Sequence, residues 1–272
     1  MKIYRKELNH PRFFLFALLM ALFIDRTSSA QLTMTKTLWQ AKHSAAAAAV
    51  GSKVFFGGGI DIQNKGVKVV DIYDNTTNTW DTIHLSQGRY ELTAAGIGSK
   101  VFFAGGDTGS GLSDVIDIYD ANDQSRAKHK LTGGGRQFLV AASAGTKVLF
   151  AGGKTATGYS ADVDIYDNGT GQWTTTTLPG GARCRFAAAS AGNKVFFAGG
   201  ETGPGAITAI VDIYDASTST WTQETLPSGA RYFLVAAAVD NKVFFAGGRT
   251  LNPNPSNVVD IYDTNTETWI TS

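Results

Sequence analysis

The stretch Lys194-Val-Phe-Phe-Ala-Gly-Gly200 decides the fold, because it recurs through the chain. Related stretches begin at Lys53, Lys100, Lys147 and Lys242, in steps of 47 or 48 residues. The phrase Asp-Ile-Tyr-Asp follows each of them, and in four of the five units a Trp stands six residues after its last Asp. A fixed period of this length indicates one repeated supersecondary unit, with neighbouring units completing each other's core.

One unit, residues 183–226, contains four segments with strand character. Residues 186–190 are small and apolar, and 194–198 form an apolar run that ends at a Gly-Gly pair. Residues 210–214 are rich in β-formers, and 220–226 alternate as an outer strand does. The sequence therefore predicts four short strands per unit, which is one propeller blade. The Ala-rich first strand is expected innermost, where strands converge, and the Gly-Gly pair is expected where backbones come close.

Gly-Gly, then Tyr-Asp, then Trp six residues later, at a period near 47, resembles the kelch repeat. The resemblance covers residues 32–272 and implies an all-β propeller of four-stranded blades. Kelch propellers most often have six or seven blades, whereas the repeats of this chain provide five. Residues 32–38 align with the fourth strand of the later units, so they are expected to fasten the last blade of a closed ring. Two alternatives stay open: a truncated relative of a longer array, or a ring shared by two chains.

The first thirty residues differ from the repeats. Four cations precede an apolar run at 13–24, and Ser28-Ser29-Ala30 places small residues at a cleavage site. We predict a secretory signal over 1–30 and a propeller domain over 31–272. The protein is then extracellular, or periplasmic in a Gram-negative host. The run is shorter than the roughly 20 residues of a membrane span, so no stable span is expected after cleavage; an uncleaved anchor is the alternative.

Charge and cysteine content exclude two classes of protein. Without residues 1–30 the net charge is about −2, so no basic field is available to attract nucleic acid. Cys184 is the single cysteine, which excludes an intrachain disulfide. About 240 residues bury enough apolar surface without such cross-links.

A cation stands eleven residues before each repeat lysine. These residues are Lys42, Arg89, Arg136, Arg183 and Arg231. All five precede the innermost strand, so the symmetry of the repeat places them at one mouth of the channel, beside the variable loops that follow each Gly-Gly pair. Constant cations beside variable loops indicate a pocket for an anionic group, with Tyr90, Arg185 and Tyr232 next to it. The kelch resemblance also implies that this mouth binds ligands. Structural pairing of each cation with an acid is the alternative.

Side chains suited to catalysis are few. His43, His84 and His129 occupy different repeat positions without metal-ligand spacing, and Cys184 has no placed base. We therefore expect no cofactor, no metal and no catalysis. The predicted function is a binding or scaffolding module for an acidic peptide, a protein loop or an anionic glycan. The alternatives are a degenerate fragment, or a carbohydrate-active enzyme whose loops bring His43, Glu91, Asp107 and Glu201 together.

Two features of the turns complete the prediction. The second Asp of each Asp-Ile-Tyr-Asp phrase is expected to form a turn by bonding its own backbone rather than to bind metal. Asn75 and Asn168 begin sequons in equivalent turns on the face opposite the mouth, and are candidate glycosylation sites.

Overall fold

The computed structural model describes residues 37–252 and 254–270, which form five four-stranded antiparallel sheets, called blades 1 to 5 in chain order. Blade 1 contains β1 (Ala46–Val50), β2 (Lys53–Gly57), β3 (Val69–Asp74) and β4 (Thr79–His84). Blade 2 contains β5 (Thr93–Ile97), β6 (Lys100–Ala104), β7 (Val115–Asp120) and β8 (Arg126–Lys130). Blade 3 contains β9 (Val140–Ala144), β10 (Lys147–Ala151), β11 (Asp162–Asp167) and β12 (Gln172–Thr177).

The remaining two blades have the same strand order. Blade 4 contains β13 (Ala187–Ala191), β14 (Lys194–Ala198), β17 (Ile210–Asp215) and β18 (Thr220–Thr225). A two-stranded hairpin, β15 (Glu201–Gly203) and β16 (Ala206–Ile207), lies between its second and third strands. Blade 5 contains β19 (Val235–Val239), β20 (Lys242–Ala246), β21 (Val259–Asp263) and β22 (Thr268–Ile270). The predicted all-β propeller fold is confirmed. Among the described residues, no helix has the length and apolar character needed to span a membrane.

The Ala-rich first strands are innermost, as predicted. The first strands of successive blades pack on one another, β1 on β5, β5 on β9, β9 on β13 and β13 on β19. The Gly-Gly pairs allow a close approach between blades. A Cβ on Gly105, whose φ is +67°, would lie 2.5 Å from the carbonyl oxygen of Arg136 in the next blade. Any larger residue would push the blades apart at this point.

The Asp turns are also confirmed. The second Asp of the phrase accepts a hydrogen bond from the backbone N–H two residues later, as Asp74 does from Thr76 at 2.9 Å and Asp215 from Ser217 at 2.8 Å. These bonds occupy the carboxylates in their own turns. Groups of acidic, histidine or cysteine residues able to hold a metal ion are absent from the described part of the chain.

The hydrophobic core consists of four clusters, each between two successive blades. Between blades 4 and 5, for example, Phe196 and Val211 pack against Val243, Phe245 and Tyr262. The other clusters join blades 1 and 2, blades 2 and 3, and blades 3 and 4. Burial of each such side chain stabilises the fold by roughly 1.5–3 kcal/mol.

The described residues do not show the closed ring that the repeat count predicts. Within residues 37–252 and 254–270, no hydrophobic cluster joins blade 5 to blade 1, and β19 does not pack on β1 as other first strands pack on their neighbours. The expected fastening strand, 32–38, lies outside the described residues except for its last two. The fourth position of blade 5 is filled by β22, which pairs with β21.

Candidate functional site

The five repeat cations lie just before the innermost strands, where the sequence placed them, but they do not reach solvent. Their side chains are at most 1% exposed. Each pairs with the first Asp of the Asp-Ile-Tyr-Asp phrase in its own blade. The pairs are Lys42–Asp71, Arg89–Asp117, Arg136–Asp164, Arg183–Asp212 and Arg231–Asp260. The five cations, called the frame cations below, have the structural contacts that the alternative interpretation expected.

Arg89 shows how a frame cation holds its blade together. Its Nη2 donates to Asp117 Oδ2 at 2.6 Å. Its Nη1 donates to the carbonyl oxygens of Gly105 at 2.9 Å and Val115 at 2.6 Å, at the end of the second strand and the start of the third. Burial lowers the pKa of Arg89, and the Asp117 carboxylate opposes that shift. Because the guanidinium already has partners within the fold, an anionic ligand could reach it only if the blade opened. Anion binding by the frame cations stays a prediction.

The residue two positions after each frame cation forms a continuous chain across the five blades at this mouth. The residues of this inner chain are Ser44, Glu91, Phe138, Arg185 and Phe233, and each has a left-handed φ of 54° or 55°. The backbone N–H of each later member donates to the carbonyl oxygen of the one before it, from Glu91 to Ser44 (3.1 Å) through to Phe233 on Arg185 (2.8 Å). A left-handed conformation costs a non-glycine residue of order 1–3 kcal/mol, so packing holds it at every blade.

Arg185 is the cation that the inner chain presents at the mouth. Its guanidinium carbon lies 4.5 Å from the ring centre of Phe138 and 5.0 Å from that of Phe233. Its Nη1 donates to Glu201 Oε2 at 2.5 Å, and Glu201 Oε1 accepts from the Tyr159 hydroxyl at 2.6 Å. The side chain is 24% exposed. Two aromatic rings and one carboxylate therefore fix the orientation of a cation that solvent can still reach.

Glu91 is the acidic neighbour of Arg185. Burial raises the pKa of Glu91 to about 7, the Asp107 charge adds to the rise, and the charges of Arg185 and Lys154 oppose it. Tyr90 and Tyr232, also predicted at the mouth, are half-buried. Their backbones pair with Asp107 and Arg249 respectively, in the loops that follow the Gly-Gly pairs.

Of the four residues that the enzyme alternative requires, Glu91 and Asp107 lie close enough for the Asp107 charge to raise the pKa of Glu91. Glu201 is bonded to Arg185 and Tyr159. The charge of Arg185 lowers the pKa of Glu91, and that of Asp107 raises it. His43 Nδ1 lies 3.1 Å from Ser44 Oγ. Burial raises the pKa of Cys184 to about 12, so its thiol stays protonated and is a poor nucleophile.

Comparison with known proteins agrees with the repeat seen in the sheets. The kelch motif matches residues 182–225 and 230–271, which contain blades 4 and 5. These two adjacent matches support a kelch-repeat family for the chain. Its other blades keep the same register, since Tyr73 lies opposite Trp80 in blade 1 as Tyr214 lies opposite Trp221 in blade 4. No curated protein matches the sequence. Kelch repeats commonly mediate protein binding, which supports a non-catalytic binding module.

From the sequence, Arg185 is predicted only as a neighbour of the frame cations, and the inner chain is not predicted. Its members differ in residue type from blade to blade, so no repeated residue marks them. The available signal was positional: two residues after every constant cation stands a residue that varies. Variation at one fixed position of a repeat indicates that the fold uses the backbone there and leaves the side chain free to differ.

Proposed function

We propose that this kelch-repeat chain is a secreted, non-catalytic binding module whose mouth holds an acidic peptide or an acidic loop of a protein. Arg185 carries the proposal. Its side chain is 24% exposed, whereas those of the frame cations are at most 1% exposed. A planar cation held between two rings loses little conformational freedom on binding a carboxylate, so the interaction is not weakened by a large ordering cost.

The bond between Arg185 and Glu201 defines how a ligand would enter. Glu201 occupies Arg185 with one oxygen and the Tyr159 hydroxyl with the other. A ligand carboxylate can take the place of Glu201 on the guanidinium, and Glu201 then keeps Tyr159 as a donor. Removal of the Glu201 charge should therefore strengthen binding, while removal of Arg185 should weaken it. A site that merely tolerates acidic residues does not predict these opposite signs.

A binding titration tests the proposal. The probe is a short peptide of alternating Glu and Gly, titrated into the full chain at low and high salt. Arg185→Ala is expected to weaken binding and Glu201→Gln to strengthen it, each by roughly tenfold, the size of one charge-assisted hydrogen bond. Lys130→Ala is the matched control, because Lys130 lies on the outer strand β8 and its side chain, paired with Asp114, is exposed.

Two results would contradict the proposal. One is unchanged peptide binding in Arg185→Ala, and the other is weaker binding in Glu201→Gln. A sulfated oligosaccharide is titrated in parallel. If it alone shows the expected response to the two variants, the ligand is an anionic glycan and not an acidic peptide.

Secretion is the second part of the proposal. It depends on the cations, the apolar run and the small residues of segment 1–30, which lies outside the described residues. N-terminal sequencing of the exported protein is the test. A chain that starts at Gln31 supports cleavage after Ala30, whereas a chain that retains Met1 contradicts it.

A further inference from the structure

Each of blades 1 to 4 has one residue at an equivalent position of its fourth strand. In the strand register it lies opposite the apolar residue that comes just before the Asp-Ile-Tyr-Asp phrase. These four residues, called the cover residues below, are Ile83, His129, Thr176 and Glu224. They differ in size and chemistry, so the boundaries between blades differ at this point.

Three of the cover residues are fitted into the boundary with the next blade. His129 lies parallel to Trp173 of blade 3, with ring centres 4.0 Å apart and 8° between the ring planes. Glu224 Oε2 accepts a hydrogen bond from Trp269 Nε1 of blade 5 at 3.4 Å. Ile83 is 9% exposed and belongs to the hydrophobic cluster between blades 1 and 2. At these boundaries the repeat supplies its own contact to the outer part of the next blade.

The fourth cover residue, Thr176, leaves a groove between blades 3 and 4. The groove has a volume of about 400 Å³, and both Thr176 and Trp221 line it. Trp221 holds the position that Trp173 holds in blade 3, since each lies opposite the Tyr of its own phrase. A threonine has no ring to lay on that tryptophan, as His129 does one boundary earlier. The volume lies within the roughly 300–1,000 Å³ of small-molecule sites.

Polar side chains surround this tryptophan on the wall formed by blade 3. Gln172, Thr174 and Thr176 line the groove from one face of β12, because alternate residues of a strand share a face. At the end of the groove, Lys147 Nζ donates to Ser219 Oγ of blade 4 at 2.6 Å. An ammonium has three N–H donors, so Lys147 can also donate to a ligand. The groove therefore combines an aromatic surface with several groups that donate or accept hydrogen bonds.

This combination fits the ring of a neutral sugar. Among the described residues that line the groove, Lys147 and Asp167 supply one charge of each sign, which favours a neutral ligand over an ion. A hexopyranose has an apolar C–H face that can pack on an aromatic ring, and its rim carries hydroxyls that both donate and accept. A flat aromatic base would pack equally well on the tryptophan but would offer fewer partners to the hydroxyls of β12.

We propose that the groove between blades 3 and 4 binds a neutral hexopyranose, with its C–H face on Trp221 and its hydroxyls bonded to Gln172 and Thr174. The sugar then takes the place that His129 takes on Trp173. The site lies on the outer strands and is separate from Arg185 at the mouth, so it does not depend on the proposed binding of an acidic peptide.

A titration of the isotope-labelled full chain with the methyl glycosides of glucose, galactose and mannose tests the proposal. Nuclear magnetic resonance follows the indole N–H signals, and the variant Trp221→Phe assigns that of Trp221. We expect at least one glycoside to shift the Trp221 signal, with a dissociation constant of about 1 mM for a ligand of ~12 non-hydrogen atoms. The signals of Trp80 and Trp173 should stay in place.

The repeat itself supplies the variant that should close the groove. Thr176→His copies the arrangement of blade 2, so it is expected to weaken glycoside binding by about tenfold or more without lowering the melting temperature. Thr177→His is the matched control, because Thr177 is exposed and lies on the opposite face of β12. Thr174→Val covers the case in which the introduced histidine points away. It removes one hydroxyl at nearly constant shape and should weaken binding by roughly threefold to tenfold.

Three results would overturn the proposal. The first is an unshifted Trp221 signal with all three glycosides at about 20 mM, well above the expected dissociation constant. The second is glycoside binding by Thr176→His and Thr174→Val that equals binding by the unmodified chain. The third comes from adenosine, titrated in parallel: if it shifts the Trp221 signal and no glycoside does, the groove binds a flat aromatic ring and not a sugar.

Discussion

Replacement of Arg136 by Met is expected to destabilise the chain far more than the loss of an ordinary surface charge. Arg136 pairs with Asp164 and donates to Ser160 Oγ at 3.2 Å and to the Asp162 carbonyl oxygen at 2.8 Å. Both members of the pair are at most 1% exposed. Methionine fills much of the volume but leaves Asp164 as a buried carboxylate without a cation. Loss of one member of a buried pair costs about 3–5 kcal/mol.

Chemical denaturation followed by circular dichroism gives the free energy of unfolding. A loss of this size corresponds to a fall in melting temperature of roughly 6–20 °C, at about 2–4 °C per kcal/mol for a domain of this length. Lys130→Met is the control, because the exposed pair Lys130–Asp114 contributes at most about 1 kcal/mol.

The double variant Arg136→Met/Asp164→Leu separates the charge effect from simple loss of contacts. It removes both charges, and it also removes the bond from the Thr132 N–H to Asp164 Oδ1, which is 2.8 Å long. We expect it to be more stable than Arg136→Met alone, because no uncompensated charge remains buried. A loss in Arg136→Met no larger than in Lys130→Met, or a double variant less stable than the single one, would refute the reasoning.

Three further predictions concern single side chains. Cys184, whose pKa burial raises to about 12, should resist alkylation at pH 8 until the chain is unfolded, and rapid labelling of the folded protein would contradict its burial. Burial raises the pKa of Glu91 to about 7 in the folded state, whereas the unfolded chain releases this proton above about pH 4.5. The free energy of unfolding should therefore fall as the pH rises from about 4.5 to 7. Denaturation curves of Glu91→Gln should not show that fall. Asn75 is exposed, whereas Asn168 Nδ2 lies against Gly98 of the neighbouring blade. A eukaryotic secretory host should therefore glycosylate Asn75 more fully than Asn168, as measured by peptide mass mapping. Equal glycosylation of the two sites would contradict this prediction.

The strand order, the turns and the close approach at Gly-Gly could all be predicted, because each depends on residues that repeat in every unit. The Asp74 turn and the Gly105 contact illustrate this, since each needs one residue type at one position. The position of the frame cations was predictable for the same reason. The burial of the frame cations could not be predicted. Each Asp-Ile-Tyr-Asp phrase contains two Asp residues, and only the sheet register shows which of them pairs with the cation.

The open end of the array could not be predicted, and of the Arg185 site only the position of Arg185 at the mouth could. Val259 and Val211 are the same residue in the same phrase, and their exposure differs only because blade 5 follows blade 4 while no described blade follows blade 5. Arg185 gains its role from Phe138 and Phe233, which belong to two other blades and are distant in sequence. Such contacts depend on how blades pack, which the strand pattern of one repeat does not contain.

The most direct test compares peptide binding by Arg136→Met and Arg185→Ala at a temperature where both variants are folded. The central claim is that buried frame cations stabilise the blades while Arg185 binds the ligand. We predict that Arg136→Met loses stability but binds the Glu/Gly peptide as the unmodified chain does, and that Arg185→Ala keeps its stability but loses binding. The opposite result, with binding lost in folded Arg136→Met and kept in Arg185→Ala, would contradict the claim.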